Sequence, residues 1–208
     1  MKAMKTQITY IFLCMVLSFL VAPQLGAQDI PPEVIKAAQE GLPVFLEVIS
    51  QNNVPEGMSP FPTSNSNMPS QKALHGFEED DPLNQAYSGE PFKFYLLNNE
   101  AALNYTRGSD VSSMLTPMDT WYFPVMIGED TKSVLKVAKM DGSWKAVSLG
   151  VARLAVELGK IRKQWPLEQG YTPLLTVCHE ISRYLFTVPQ YDSTNLTSDD
   201  IILLWVLL

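Results

Sequence analysis

The chain has 208 residues, 46% of them apolar and 18% charged, a length that suits one domain able to bury roughly 70% of the surface its unfolded chain exposes. Its 22 acidic residues outnumber its 15 basic ones, for a formal net charge of −7 at neutral pH. That sign argues against nucleic acid and anionic lipid surfaces as partners, because both are bound through clustered lysine and arginine.

The first element is a leader over residues 1–27. Lys2 and Lys5 precede an apolar run from Ile8 to Ala22, and Pro23-Gln-Leu-Gly-Ala27 follows it, which is the n-region, h-region and small-residue exit of a secretory signal peptide. A membrane-spanning helix needs about 20 apolar residues, and this run has 15. The expectation is therefore cleavage after Ala27, a secreted or periplasmic product, and no stable membrane anchor once the leader is gone. Cleavage removes two lysines and no acids, taking the net charge from −7 to −9. It also removes Cys14, so Cys178 is left alone and no intramolecular disulfide can form.

Residues 28–208 read as a single domain. From Asp29, a plausible cap, to Gln51, Val34, Ala38, Leu42, Phe45 and Ile49 recur at helical spacing. Gly41-Leu42-Pro43 interrupts them, and proline inside a helix costs about 3 kcal/mol. A short helix, a break and a second helix starting at Pro43 are expected. Residues 52–90 then turn rich in Pro, Ser, Asn and acids, and read as a long irregular surface loop anchored by Phe61, Phe77 and Tyr87.

Strand signals follow at Phe92–Leu97, Thr120–Ile127, Ser133–Met140 and Ser143–Leu149. Asp141-Gly142 fits a two-residue type I′ turn, which sets Lys139 across from Trp144 and Val137 across from Ala146. Pro124 lacks a ladder donor, which favours an edge position or a bulge. Val151–Trp165 has apolar residues at 151, 154, 155, 158, 161 and 165 and a basic last turn before Pro166, the pattern of a helix with one buried face. Tyr171–Val177, Arg183–Val188 and Ile201–Leu208 read as three further strands, the last apolar enough to be central. The predicted class is α+β: an antiparallel or mixed sheet of about six or seven strands with helices on one face.

Chemistry-bearing patterns are sparse. Cys178, His179 and Glu180 are consecutive, but strand neighbours point to opposite faces, so a thiol catalyst at Cys178 needs His75 from the loop as its base, or His179 off the strand. Ser133-Val-Leu-Lys136 matches S-x-x-K, yet on a strand its two functional residues face apart. Met58, Met68, His75, Met114 and Met118 are soft-metal donors that packing explains better, and the acids at Glu78–Asp81 lack calcium-loop spacing. No metal and no cofactor is expected.

The richest aromatic concentration is Trp121-Tyr122-Phe123, joined by Tyr95 and Trp144. Alternation puts Trp121 and Phe123 on one face and Tyr122 on the other, so one large aromatic faces away from the core unless a second layer covers it. Trp121, Tyr122, Tyr95 and Trp144 are accordingly the candidate ligand platform. The leading expectation is an exported, non-enzymatic domain binding a peptide, protein or glycan. An exported hydrolase or thiol enzyme centred on Cys178, and a structural or inhibitory partner of another exported protein, are the alternatives.

Overall fold

The computed structural model describes residues 30–51, 70–104, 106, 114–178, 183–188 and 201–202. They form α1 (Pro32–Ser50), α2 (Gln71–Leu74), a 3-10 turn (Leu83–Gln85), β1 (Tyr87–Ser88), β2 (Phe92–Leu97), α3 (Asn99–Leu103), β3 (Leu115–Ile127), β4 (Asp130–Met140) and β5 (Ser143–Gly150). After these come α4 (Ala152–Gln164), a second 3-10 turn (Leu167–Gln169), β6 (Leu174–Cys178), β7 (Arg183–Thr187) and β8 (Ile201–Ile202). One sheet runs in the order β5-β4-β3-β2-β6-β7-β8, with β1 pairing β3 on the same side as β2. β2 and β6 are parallel and the other described pairs antiparallel, so the chain forms an α+β domain on a mixed sheet.

The sequence leads one to expect a single helical layer; alternation along the strands produces two. Trp121, Phe123 and Val125 of β3 share a core with Leu135 and Val137 of β4, and α1 closes it with Val34, Ala38, Leu42, Leu46 and Ile49. Tyr122 points the other way. It joins Phe92, Val134, Leu175, Val177, Tyr184 and Phe186 in a second core, which α4 closes with Leu154, Ala155, Leu158 and Ile161. Both faces of the central strands are therefore covered, which is why Trp121–Ile127 of β3 reads as an uninterrupted apolar run.

The β4–β5 hairpin forms as the turn chemistry dictates. Asp141 (φ 51°) and Gly142 (φ 79°) supply the two positive φ values, and Lys139 pairs with Trp144 and Val137 with Ala146. A bulge between Lys136 and Val137 then displaces the register.

Five expectations change. First, α1 is one continuous helix with Pro43 inside it. Pro43 and Gln39, whose carbonyl loses its donor, are both exposed, so water can satisfy that carbonyl. Burial of the apolar residues on both sides of Pro43, at about 1.5–3 kcal/mol per large side chain, outweighs the proline penalty. Gly41 lets this helix lie close on β5, since a Cβ there would collide with the Cβ of Ala146. Asp29 lies outside the described residues, and Pro31 occupies the cap position without a side-chain hydrogen bond.

Second, residues 70–90 are ordered rather than irregular. Ser70 caps α2 through Ala73 N–H, and Phe77 and Leu83 are buried, whereas Tyr87, expected as an anchor, is 50% exposed. Residues 52–69, with Phe61, lie outside the described residues. Third, Pro124 sits in an interior strand rather than at an edge, beside a register irregularity, the other of its two expected settings. Its carbonyl accepts from Gly89 N–H, and because the N and O of one strand residue point to the same side, its missing donor faces the Gly89–Pro91 break between β1 and β2. Pro124 keeps its pairing with Val134 of β4, and the irregularity in that ladder falls next to it, between Val125 and Met126. Fourth, β8 ends the strand order rather than occupying the centre, and residues 203–208 of that apolar run lie outside the described residues. Fifth, Val151 leaves the expected helical stripe: it precedes α4 with φ 61° and is half exposed.

Candidate functional site

The four candidate aromatics divide between the two faces. On β2, Phe92, Phe94 and Leu96 turn toward α4, so Lys93 and Tyr95 turn toward the α1 side. Lys93 pairs with Trp121, Trp121 with Val137, and Lys139 with Trp144, which places Lys93, Trp121 and Trp144 on one face across four strands. Tyr95 is two residues further along β2 on that face and half-buried.

Lys93 is the centre of this group. Its Nζ lies 4.9 Å from the centroid of the Trp121 ring and 6.0 Å from that of Trp144, within the range where an ammonium is held by an aromatic quadrupole. Partial burial pushes its pKa down, opposed by the nearby Asp119 carboxylate. Among the described residues the Lys93 side chain has no hydrogen bond and no ion pair. Trp121 is 3% exposed, and its indole N–H is buried without an acceptor among those residues. Buried donors are normally paired, so the indole N–H is an orphan of the fold, while the half-buried Lys93 side chain presents an ammonium that no protein acceptor takes among the described residues. Thr176, which pairs with Tyr95, is 1% exposed and its hydroxyl is likewise unpartnered.

Tyr122 belongs to a different environment. It is 8% exposed under α4, its ring lies 5.2 Å from that of Phe94, and burial together with the adjoining Tyr184 hydroxyl pushes its pKa upward. A satisfied core phenol of this kind is not a surface platform. The second layer that covers it was the condition under which no aromatic of this strand faces outward, and α4 supplies that layer.

The other candidate residues do not converge. His75 ends α2, and its Nδ1 lies 2.7 Å from the Leu149 carbonyl of β5. Cys178 closes β6 opposite Arg183, four strand positions from β5, or about 19 Å at roughly 4.8 Å per strand. A thiol and its base need about 3 Å, so His75 does not serve Cys178. His179 lies outside the described residues. Ser133 pairs with Val125 on the α1 face and Lys136 with Tyr122 on the α4 face, so the S-x-x-K residues are held apart as the strand reading predicts. Glu78 and Asp81 each lie 3.1 Å from Lys132 Nζ, which raises the lysine pKa, with Asp81 the leading cause. These carboxylates pin the 70–82 segment to β4.

Three grooves lie away from the Lys93 cluster, among them one of about 410 Å³ between β4 and α4 beside Lys132 and Lys160. A second, of about 630 Å³, runs between α1 and residues 83–88 and is lined by Leu42, Pro43, Leu46, Leu83 and Tyr87 among others. A third, of about 330 Å³, lies beneath the β1–β2 break and includes Met126, Leu158 and Arg162. The groove beside α1 mixes its apolar walls with the polar side chains of Gln39, Glu47, Ser50, Asn84 and Ser88.

Lys93 is the residue that sequence reasoning missed. Its signal was the alternation Phe92-Lys93-Phe94-Tyr95-Leu96, which marks one apolar face and leaves lysine and tyrosine on the other. Among the described residues no helix is long and apolar enough to cross a membrane. Compared with protein families, curated proteins and solved structures, the chain has no significant match.

Proposed function

We propose that the protein is an exported, non-enzymatic binding domain, and that its ligand, a peptide, protein or glycan, is engaged at the face formed by Lys93, Trp121, Trp144 and Tyr95. Export rests on the leader at residues 1–27. The observation that carries the binding reading is the Lys93 ammonium held on two indole rings with no acceptor for its N–H groups among the described residues. Other lysines are given a carboxylate, as Lys132 with Asp81 and Lys36 with Glu40 illustrate. Here the half-buried Trp144 and Tyr95 add stacking surface beside a charge, the composition from which recognition sites are built. Tyr122 is not part of this site.

The test is a titration of the purified protein with a panel of oligosaccharides and short peptides, followed by indole fluorescence. Quenching by a panel member that is lost in a folded Trp144→Ala variant and kept in Tyr122→Phe supports the reading. A ligand whose binding survives Trp144→Ala and Lys93→Met would place recognition elsewhere and overturn it.

A further inference from the structure

The unpaired donors define the chemistry of the ligand at this same face, and the inference rests on the binding reading above. An ammonium has three N–H donors and no acceptor capacity. Lys93 directs none of them to a protein acceptor among the described residues, and the buried Trp121 N–H has none either. Charge-assisted hydrogen bonds are roughly twice as strong as neutral ones, so the group that gains most from this face is an anionic, multi-acceptor one. Lys139, paired with Trp144 at the margin of the face and exposed, adds a second positive charge. Asp119, two residues before Trp121 on β3, is exposed and near enough to Lys93 to act on its charge. It supplies an acceptor for ligand donors such as hydroxyls. Trp144, half-buried, offers a ring surface between these charges.

We propose that the ligand is a carboxylated sugar, a uronate unit whose carboxylate pairs with Lys93, whose hydroxyls meet Asp119 and whose ring lies against Trp144. A pyranose has an apolar C–H face for stacking and hydroxyl donors for an acid, and a uronate adds the anion, so each group of the face has a counterpart.

The experiment is a calorimetric titration of the purified protein with three probes: a galacturonate trimer, the neutral galactose trimer and triglutamate. Binding of the uronate trimer about tenfold or more tighter than the neutral trimer is expected, as one charge-assisted bond supplies. Lys93→Met should erase that preference, Trp144→Ala should weaken both sugars, and Lys163→Met, away from this face, should change neither. Lys93→Gln serves where Lys93→Met fails to fold. Equal binding of the two trimers, or a preference that survives both Lys93 variants, overturns the carboxylate and leaves the binding reading standing. Lys93-dependent binding of triglutamate without uronate binding overturns the sugar and assigns the face to acidic peptide. Failure of all three probes overturns this inference, and the broader panel described above then decides the binding reading separately.

Discussion

Trp121 and Tyr122 are adjacent in sequence, equally aromatic and almost equally buried, yet they belong to two regions with different completeness. Beneath α4 the aromatic groups answer one another: Phe92 and Phe186 meet edge to face at 6.0 Å, Phe94 lies against Tyr122, and the Arg162 guanidinium carbon sits 4.4 Å above Phe92. Beneath and beside α1 the core is as dry, but its margin ends in an ammonium and an indole N–H with nothing to bond among the described residues. The difference teaches where to look. The first region is closed by mutual aromatic and cation–π contacts, whereas the second holds the Trp121 indole N–H and the Thr176 hydroxyl, which have no partner among the described residues.

The comparison breaks if the α4 region is not the stability core. Leu158→Ala, at a fully buried position, is expected to cost about 2–5 kcal/mol by removing buried methyl groups and leaving a cavity, measured as the shift of the urea midpoint. Gly41→Ala tests the closeness of α1 to the sheet. Its new methyl collides with Ala146, an overpacking expected to cost about 1–3 kcal/mol. Adding Ala146→Gly should recover most of that loss, and absence of recovery would show that the helix does not rest there. Tyr122→Phe should cost about 1 kcal/mol, the net worth of a buried hydrogen bond, and leave ligand binding unchanged. Lys93→Met sharpens the contrast, with an expected stability change under about 1 kcal/mol, since a half-buried cation–π contact contributes little, but a measurable loss of binding.

The smallest effect is a pH dependence of opposite sign for two lysines. The pKa of Lys93 is lowered below the ordinary 10.5 in the folded state by burial. The unfolded chain therefore holds its proton longer, and stability from this group rises as pH climbs toward 10.5. The pKa of Lys132 is raised by its hydrogen bonds to Asp81 and Glu78, so its contribution is full below 10.5 and is lost as pH rises through the higher folded value. Chemical denaturation between about pH 9 and 11 should show Lys93→Met flattening a rise with pH and Lys132→Met flattening a fall; slopes of the same sign would contradict these two environments.

Much of the local structure was legible in residue order. The Asp141-Gly142 turn and its two cross-strand pairs, the α4 stripe at Leu154, Ala155, Leu158 and Ile161, and the alternation that separates Trp121 from Tyr122 all follow from backbone geometry and periods of 2 and 3.6. The candidate site was legible in part: Trp121, Tyr95 and Trp144 share a face, but Tyr122 does not. Lys93 escaped notice because a single lysine in an apolar strand is unremarkable until its cross-strand partner is known to be Trp121.

What the sequence determined by itself is what depends on neighbours within a few residues, the strand and helix periods and the hairpin register, together with a net acidic charge that argues against nucleic acid and anionic lipid surfaces. What only the tertiary structure decided is everything that depends on who lies across. It carried α1 through Pro43 because a sheet waited beneath both halves of the helix. It set Pro124 inside the sheet because a break in the neighbouring strand removed the need for its donor. It separated His75 from Cys178 by four strands and brought Lys93 onto two indoles. Periodicity tells which way a side chain points; strand order, fixed by long-range burial, decides what it meets.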